Sequence, residues 1–142
     1  MIIPDVNVLV YAALAAAPGH AAYRAWLDGT LDADEPVGLS ELVLSGVVRV
    51  LTNARVFTAP LRLEEAMAYV EALRQHPNTV PLRPGERHWA LFVRLATDAQ
   101  CRGNLVADAY HAALAIEHGG TWITSDRDFA RFAGLRWRHP LA

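Results

Sequence analysis

Met1-Ile2-Ile3-Pro4-Asp5-Val6-Asn7-Val8-Leu9-Val10 is the stretch on which the fold turns. Three apolar residues end at a proline, the pattern of a short buried strand that stops early, because proline has no N–H to continue a sheet ladder. Asp5 follows at once. From Asn7 to Ala16 the chain is almost wholly apolar and reads as a buried helix, broken by Pro18-Gly19. A carboxylate set between a buried strand and a buried helix is costly unless something partners it.

The alternation continues down the chain. His20 to Leu27 has Ala21, Ala22, Ala25 and Trp26 at roughly helical spacing. Pro36 to Leu39 is a second short strand, and Ser40 then N-caps a helix over Glu41 to Leu51. Leu63 to Gln75 is an amphipathic helix with acids at its start and Arg74 near its end, matching the macrodipole. Thr79 to Leu82 is a third strand and Glu86 to Ala99 a helix. Val106 to His118 is a helix begun by Asn104 or a neighbour and closed by Gly119-Gly120. Thr121 to Thr124 is a fourth strand, Phe129 to Phe132 a helical turn, and Leu135 to Arg138 a fifth strand. Short strands alternating with helices predict an α/β sandwich around a parallel sheet. No repeat, linker or low-complexity segment divides residues 1–142, so one domain is expected.

Composition narrows the chemistry. Hydrophobic residues make up 53% of the chain, which excludes a disordered or fibrous protein. No apolar run reaches the ~18 residues of a membrane span. The first ten residues lack the basic region of a secretory signal, and Cys101 has no second cysteine to pair with. A cytoplasmic location is expected. All 13 basic residues are arginine. Without lysine there is no Walker A loop and no Schiff-base chemistry. With a net charge of −2, any nucleic acid must be handled at a local site, with a metal or a few arginines supplying positive charge.

In parallel sheets the site lies just beyond the carboxyl ends of the strands. Asp5 follows the first strand, Glu41 the second, and Asp126 and Asp128 the fourth. Asp108, read as lying in the first turn of its helix, joins them if that helix points its N-terminus at the same edge. Taken singly, Glu41 and Asp108 suit helix first turns, where a carboxylate gains ~0.3–1 kcal/mol, and Asp126 and Asp128 suit a turn and an N-cap. Gathered at one edge, they would repel and raise one another's pKa values. A hard divalent cation resolves that conflict. An oxygen-only set favours Mg²⁺ or Mn²⁺ over Zn²⁺, and such an ion polarises phosphoryl oxygens and lowers the pKa of bound water.

The ordered set resembles the PIN domain family: Asp5-Val6-Asn7-Val8-Leu9, Ser40-Glu41-Leu42, Asp108-Ala109 with Ala112 to Gly119, and Thr124-Ser125-Asp126-Arg127-Asp128-Phe129. Within that family it is most similar to VapC-type toxins of type II toxin–antitoxin pairs. The likeness runs nearly end to end, through Arg49 to Phe57, Trp89 and Gly134 to Trp137. It departs at Val106-Ala107, a change expected to alter the helix cap and not the ligand. The resemblance implies a Mg²⁺-dependent endoribonuclease (Mn²⁺ as substitute), a three-layer α/β/α sandwich, a homodimer and a VapB-type antitoxin. It also implies Asp5 and Asp108 as metal ligands, Glu41 and Asp126 as the rest of the catalytic acids, Asp128 as a fifth member, and Asn7 and Ser125 as supporting groups behind them.

Arg102, Asn104 and Arg127 flank the acids and are candidates for RNA phosphate contacts, against the alternative of solvated loop residues. His111 is read as packed, with a general-base role as its alternative. Tyr11, Tyr23 and Trp26 are core or the wall of a groove for an antitoxin helix. Two other functions are weighed. A phosphotransferase of haloacid dehalogenase or receiver type also places Asp after the first strand, but the dehalogenase type wants a second Asp where Asn7 stands, and both use a lysine. A metal-independent interaction module would use the acids to bind a partner's arginines.

Overall fold

The computed structural model describes residues 1–142. Five parallel strands form one sheet: β1 (Ile2–Pro4), β2 (Val37–Ser40), β3 (Thr79–Leu82), β4 (Thr121–Ile123) and β5 (Trp137–Arg138), in the order β3-β2-β1-β4-β5. Six helices cover it: α1 (Val6–Ala13), α2 (His20–Leu31), α3 (Glu41–Leu51), α4 (Leu63–Gln75), α5 (His88–Asp98) and α6 (Asn104–Glu117). Helix α1 packs on both α2 and α3, α3 packs on α4, and α5 packs on α6. The expected three-layer α/β/α arrangement results. No helix is long and apolar enough to cross a membrane.

The sheet centre is dry. Ile3, Val37, Trp122 and Ile123 are each at most 2% exposed, so β1, β2 and β4 read as unbroken apolar runs because both faces are covered. Pro4 pairs with Ile123, and the Asp5 N–H then donates to the Ile123 carbonyl at 2.8 Å. That register sets Asp5 level with Thr124. Gly46 lets α3 approach the start of α1, since a Cβ there would lie 2.9 Å from Val6 Cγ2.

Several boundaries differ from the sequence reading. Helix α1 stops at Ala13, not Ala16, because Leu14 turns extended ahead of Pro18. Helix α2 runs on to Leu31, tolerating Gly29. The last strand is only Trp137–Arg138. The turn after β4 is a 3₁₀ helix over Arg127–Arg131, two residues earlier than expected. The correction that matters most concerns α6. Gly103, with φ +56°, lets the helix begin at Asn104, so Asp108 lies in its second turn and not its first. The favourable dipole interaction fades beyond the first turn, which removes the simplest structural reason for an acid at that position.

Candidate active site

Asp5 is 7% exposed, and its partners come from two elements. Its Oδ1 accepts from the Val6 N–H at 2.6 Å, capping α1, and its Oδ2 accepts from the Thr124 hydroxyl at 2.6 Å. The Thr124 Oγ1 in turn accepts from the Asp126 N–H at 3.0 Å. Asp126 Oδ1 accepts from the Asp128 N–H at 2.8 Å and so caps the 3₁₀ turn. One buried hydroxyl therefore ties the end of β1 to the loop after β4, fixing two acids through one side chain.

Those bonds to the ionised form do not offset burial. Desolvation first, and then the charges of Asp108 and Asp126, push the Asp5 carboxyl up to about 6. Asp108 is also pushed up to about 6, by desolvation and by Asp126 and Asp128, against the opposing charge of Arg131. Asp5, Asp108, Asp126 and Asp128 thus form one electrostatic unit that is short of positive charge.

Glu41 stands apart. It follows β2 beside β1, as the sequence implies, but it is exposed and lines a depression with Leu44, Arg74 and Arg83. It acts on Arg74 and is not among the charges acting on Asp5 or Asp108. Asn7, in the first turn of α1, has its Oδ1 buried with no hydrogen-bond donor. Ser125 is half-buried between Thr124 and Asp126. Arg102, Asn104 and Arg127 are all exposed. Arg102 and Asn104 stand at the start of α6 and Arg127 opens the 3₁₀ turn, and none makes an ion pair or side-chain hydrogen bond. His111 lies in the core, stacked on Trp122 with centroids 5.3 Å apart, and burial lowers its pKa to about 4.

Two participants do not stand out in the sequence: Thr124, whose neighbour Ser125 matches the expected support, and Arg131 at the end of the 3₁₀ turn. The signal for Thr124 was its place as the first residue after an apolar strand and two before an acid.

The donor set fits a hard cation. All four acids offer oxygen only, and the raised carboxyls mark a cluster that a divalent charge would relieve. No group of three or more His, Cys, Asp or Glu side chains is gathered closely enough to hold a metal ion. A Mg²⁺ ion asks for fewer protein ligands, since it is usually held by one or two carboxylates and keeps several waters. Asp5 and Asp108 are the two whose carboxyls are most held back from ionising.

Known proteins resemble this chain along nearly its whole length. A family model described as the PIN domain matches residues 2–135. Ribonuclease VapC43 of Mycobacterium tuberculosis is 52% identical over 141 residues, covering 99% of this chain and 96% of its own. Ribonuclease VapC25 of the same organism is 40% identical over 140 residues, covering 99% of each. Among solved structures, VapBC2 from Rickettsia felis bound to a promoter DNA fragment gives a TM-score of 0.71 at 17% identity, over 98% of each chain. VapC20 of M. tuberculosis, a sarcin-ricin loop cleaving toxin, gives 0.70 at 17% identity, over 96% of this chain and 99% of its own. These last two likenesses concern the fold.

Proposed function

This chain belongs to the PIN domain family, and from that premise we propose that it is a Mg²⁺-dependent endoribonuclease, the toxin of a VapBC-type pair. The observation that carries the reading is the unit formed by Asp5, Asp108 and Asp126, drawn from β1, α6 and the loop after β4. Mg²⁺, or Mn²⁺ in its place, supplies Lewis-acid polarisation and charge neutralisation at the phosphodiester when bound.

The chain's own residues do the rest. Asp5 and Asp108 would hold the ion. Thr124 keeps the Asp5 carboxylate in one orientation, because its hydroxyl is itself fixed by the Asp126 N–H. Asp126 is held by the turn it caps, and Asp128 extends the negative edge toward Arg131. Glu41, exposed and apart from the other acids, is read as the outer acid on the β2 side, available to accept a proton from water. Asn7 and Ser125 support the centre, and Arg102, Asn104 and Arg127 take RNA phosphates around it.

The partners follow from two exposed faces. Leu44, Val48, Met67 and Val70 line a 280 Å³ groove between α3 and α4, suited to the apolar face of an antitoxin helix. Trp89, 67% exposed, and Val93 one helical turn later give α5 an apolar face suited to a second copy of the chain. A cytoplasmic location goes with an RNA substrate and a single cysteine. The phosphotransferase reading is disfavoured by Asn7 and by the absence of lysine.

The test is cleavage of RNA by the purified chain with and without Mg²⁺. Cleavage that needs the metal and disappears in Asp5→Asn and Asp108→Asn supports the assignment. Equal cleavage by both variants, or none by the wild type, defeats it.

A further inference from the structure

One cation acts on the Asp108 carboxyl: Arg131, at the end of the 3₁₀ turn. Its placement follows from the turn's geometry. In a 3₁₀ helix residues i and i+3 eclipse. Phe129 and Phe132, 1% and 3% exposed, anchor the turn in the core. Asp128 and Arg131 form a second i,i+3 pair and line up on one edge of the same turn. The backbone that presents Arg131 is therefore held by two buried aromatic rings.

The guanidinium itself is not held. Its Nε donates to the Asp128 carbonyl at 3.0 Å. A terminal nitrogen stands 3.7 Å from Asp128 Oδ1, beyond hydrogen-bond reach. The remaining N–H groups have no protein acceptor, and the side chain is 34% exposed. A loose ion pair of this kind contributes little to stability, so stapling the turn does not account for the arginine.

Its chemistry points elsewhere. A polyanion approaching four aspartates meets repulsion, and the chain has no lysine to oppose it. A guanidinium fork matches phosphate oxygens bidentately. Arg24, Arg62 and Arg74 are paired with acids on their own helices.

We propose that Arg131 is a further phosphate-binding residue of the RNA site, leaving its loose contact with Asp128 to receive a backbone phosphate beside Asp108. The inference rests on the ribonuclease reading and adds to it a specific substrate contact.

Binding of a short single-stranded RNA to the full chain, measured without divalent metal across a range of salt concentrations, tests it. Arg131→Ala is expected to weaken binding about tenfold and to lower the slope of log affinity against log salt by about 0.7, the loss of one counterion-releasing phosphate contact. Arg131→Lys is expected to keep the slope and lose part of the affinity, because a point charge replaces the fork. Arg24→Ala, on the distant α2, is expected to bind as the wild type does. Melting temperature checks that the variants are folded. A folded Arg131→Ala protein with wild-type affinity and slope overturns the inference and leaves the ribonuclease reading standing. So does Arg131→Lys falling to the level of the alanine variant in both. RNA that neither binds to nor is cut by the wild type overturns both.

Discussion

The two sides of the sheet's carboxyl edge are built differently. On the β1/β4 side, Asp5 is buried, caps α1 by accepting from the Val6 N–H, accepts from the Thr124 hydroxyl and is pushed up to about 6. On the β2/β3 side, Glu41 is exposed, shares a depression with Arg74 and Arg83, and has no donor of its own. Both acids begin a helix directly after a parallel strand, so local sequence position does not separate them. What separates them is whether the neighbouring strand delivers a partner. Ile123 ends beside Pro4 and brings Thr124 against Asp5. Leu82 ends beside Ser40 and brings only Arg83 toward Glu41. The first side is a fixed charge-holding centre, and the second is an adjustable flank.

Substitution can break this contrast. The largest effect belongs to the metal-holding acids: Asp108→Asn is expected to lower Mg²⁺-dependent RNA cleavage by more than the roughly 10–100-fold typical of supporting residues. Glu41→Gln, assayed beside it, is expected to lose less. Equal losses at the two positions would erase the distinction between the sides. Next comes Thr124→Val, nearly the same shape without the hydroxyl. It strips a donor from Asp5 and leaves the Asp126 N–H unpartnered, a cost of about 1–3 kcal/mol in urea denaturation. Cleavage should also fall by roughly 10–100-fold.

Stability against pH sharpens the same contrast. The Asp5 and Asp108 carboxyls rise from 3.8 to about 6 on folding. The stability they contribute is therefore fully present below 3.8 and lost as pH rises through 6. Without metal, Asp108→Asn should melt roughly 2–4 °C above the wild type at pH 8, a domain-sized response to about 1 kcal/mol. The two should converge near pH 4. Asp5→Asn should gain less, because the amide cannot accept both the Val6 and Thr124 bonds. His111 runs the other way, with its pKa lowered from 6.5 to about 4. Its contribution is present above 6.5 and is lost as pH falls to 4, so acid destabilisation within that window belongs to it and not to Asp5 or Asp108. The smallest expected effect is Glu41→Gln on metal-free melting, within about 0.5 kcal/mol of wild type, as for an exposed residue. A larger rise would mean that Glu41 shares the repulsion after all.

Much of the architecture was legible because its signals are local. Pro4 stopping a strand, Ser40 accepting from the Val43 N–H, and Gly119-Gly120 closing α6 are matters of neighbouring residues. The misplaced features depend on distant ones. Asp108 falls in the second turn because Gly103, at positive φ, starts α6 earlier than the apolar pattern suggests. Only the β1–β4 register decides whether Thr124 or Ser125 meets Asp5. The alignment of Arg131 with Asp128 appears only with the 3₁₀ turn starting at Arg127, two residues before Phe129.

The sequence by itself determined the order of strands and helices and the position of each acid at a strand end, since periodicity, proline, glycine and capping residues act over a few positions. Tertiary structure alone decided which acids act as one. Electrostatic coupling and a hydroxyl spanning 119 residues of chain depend on distance in space, and that is set by sheet order and register.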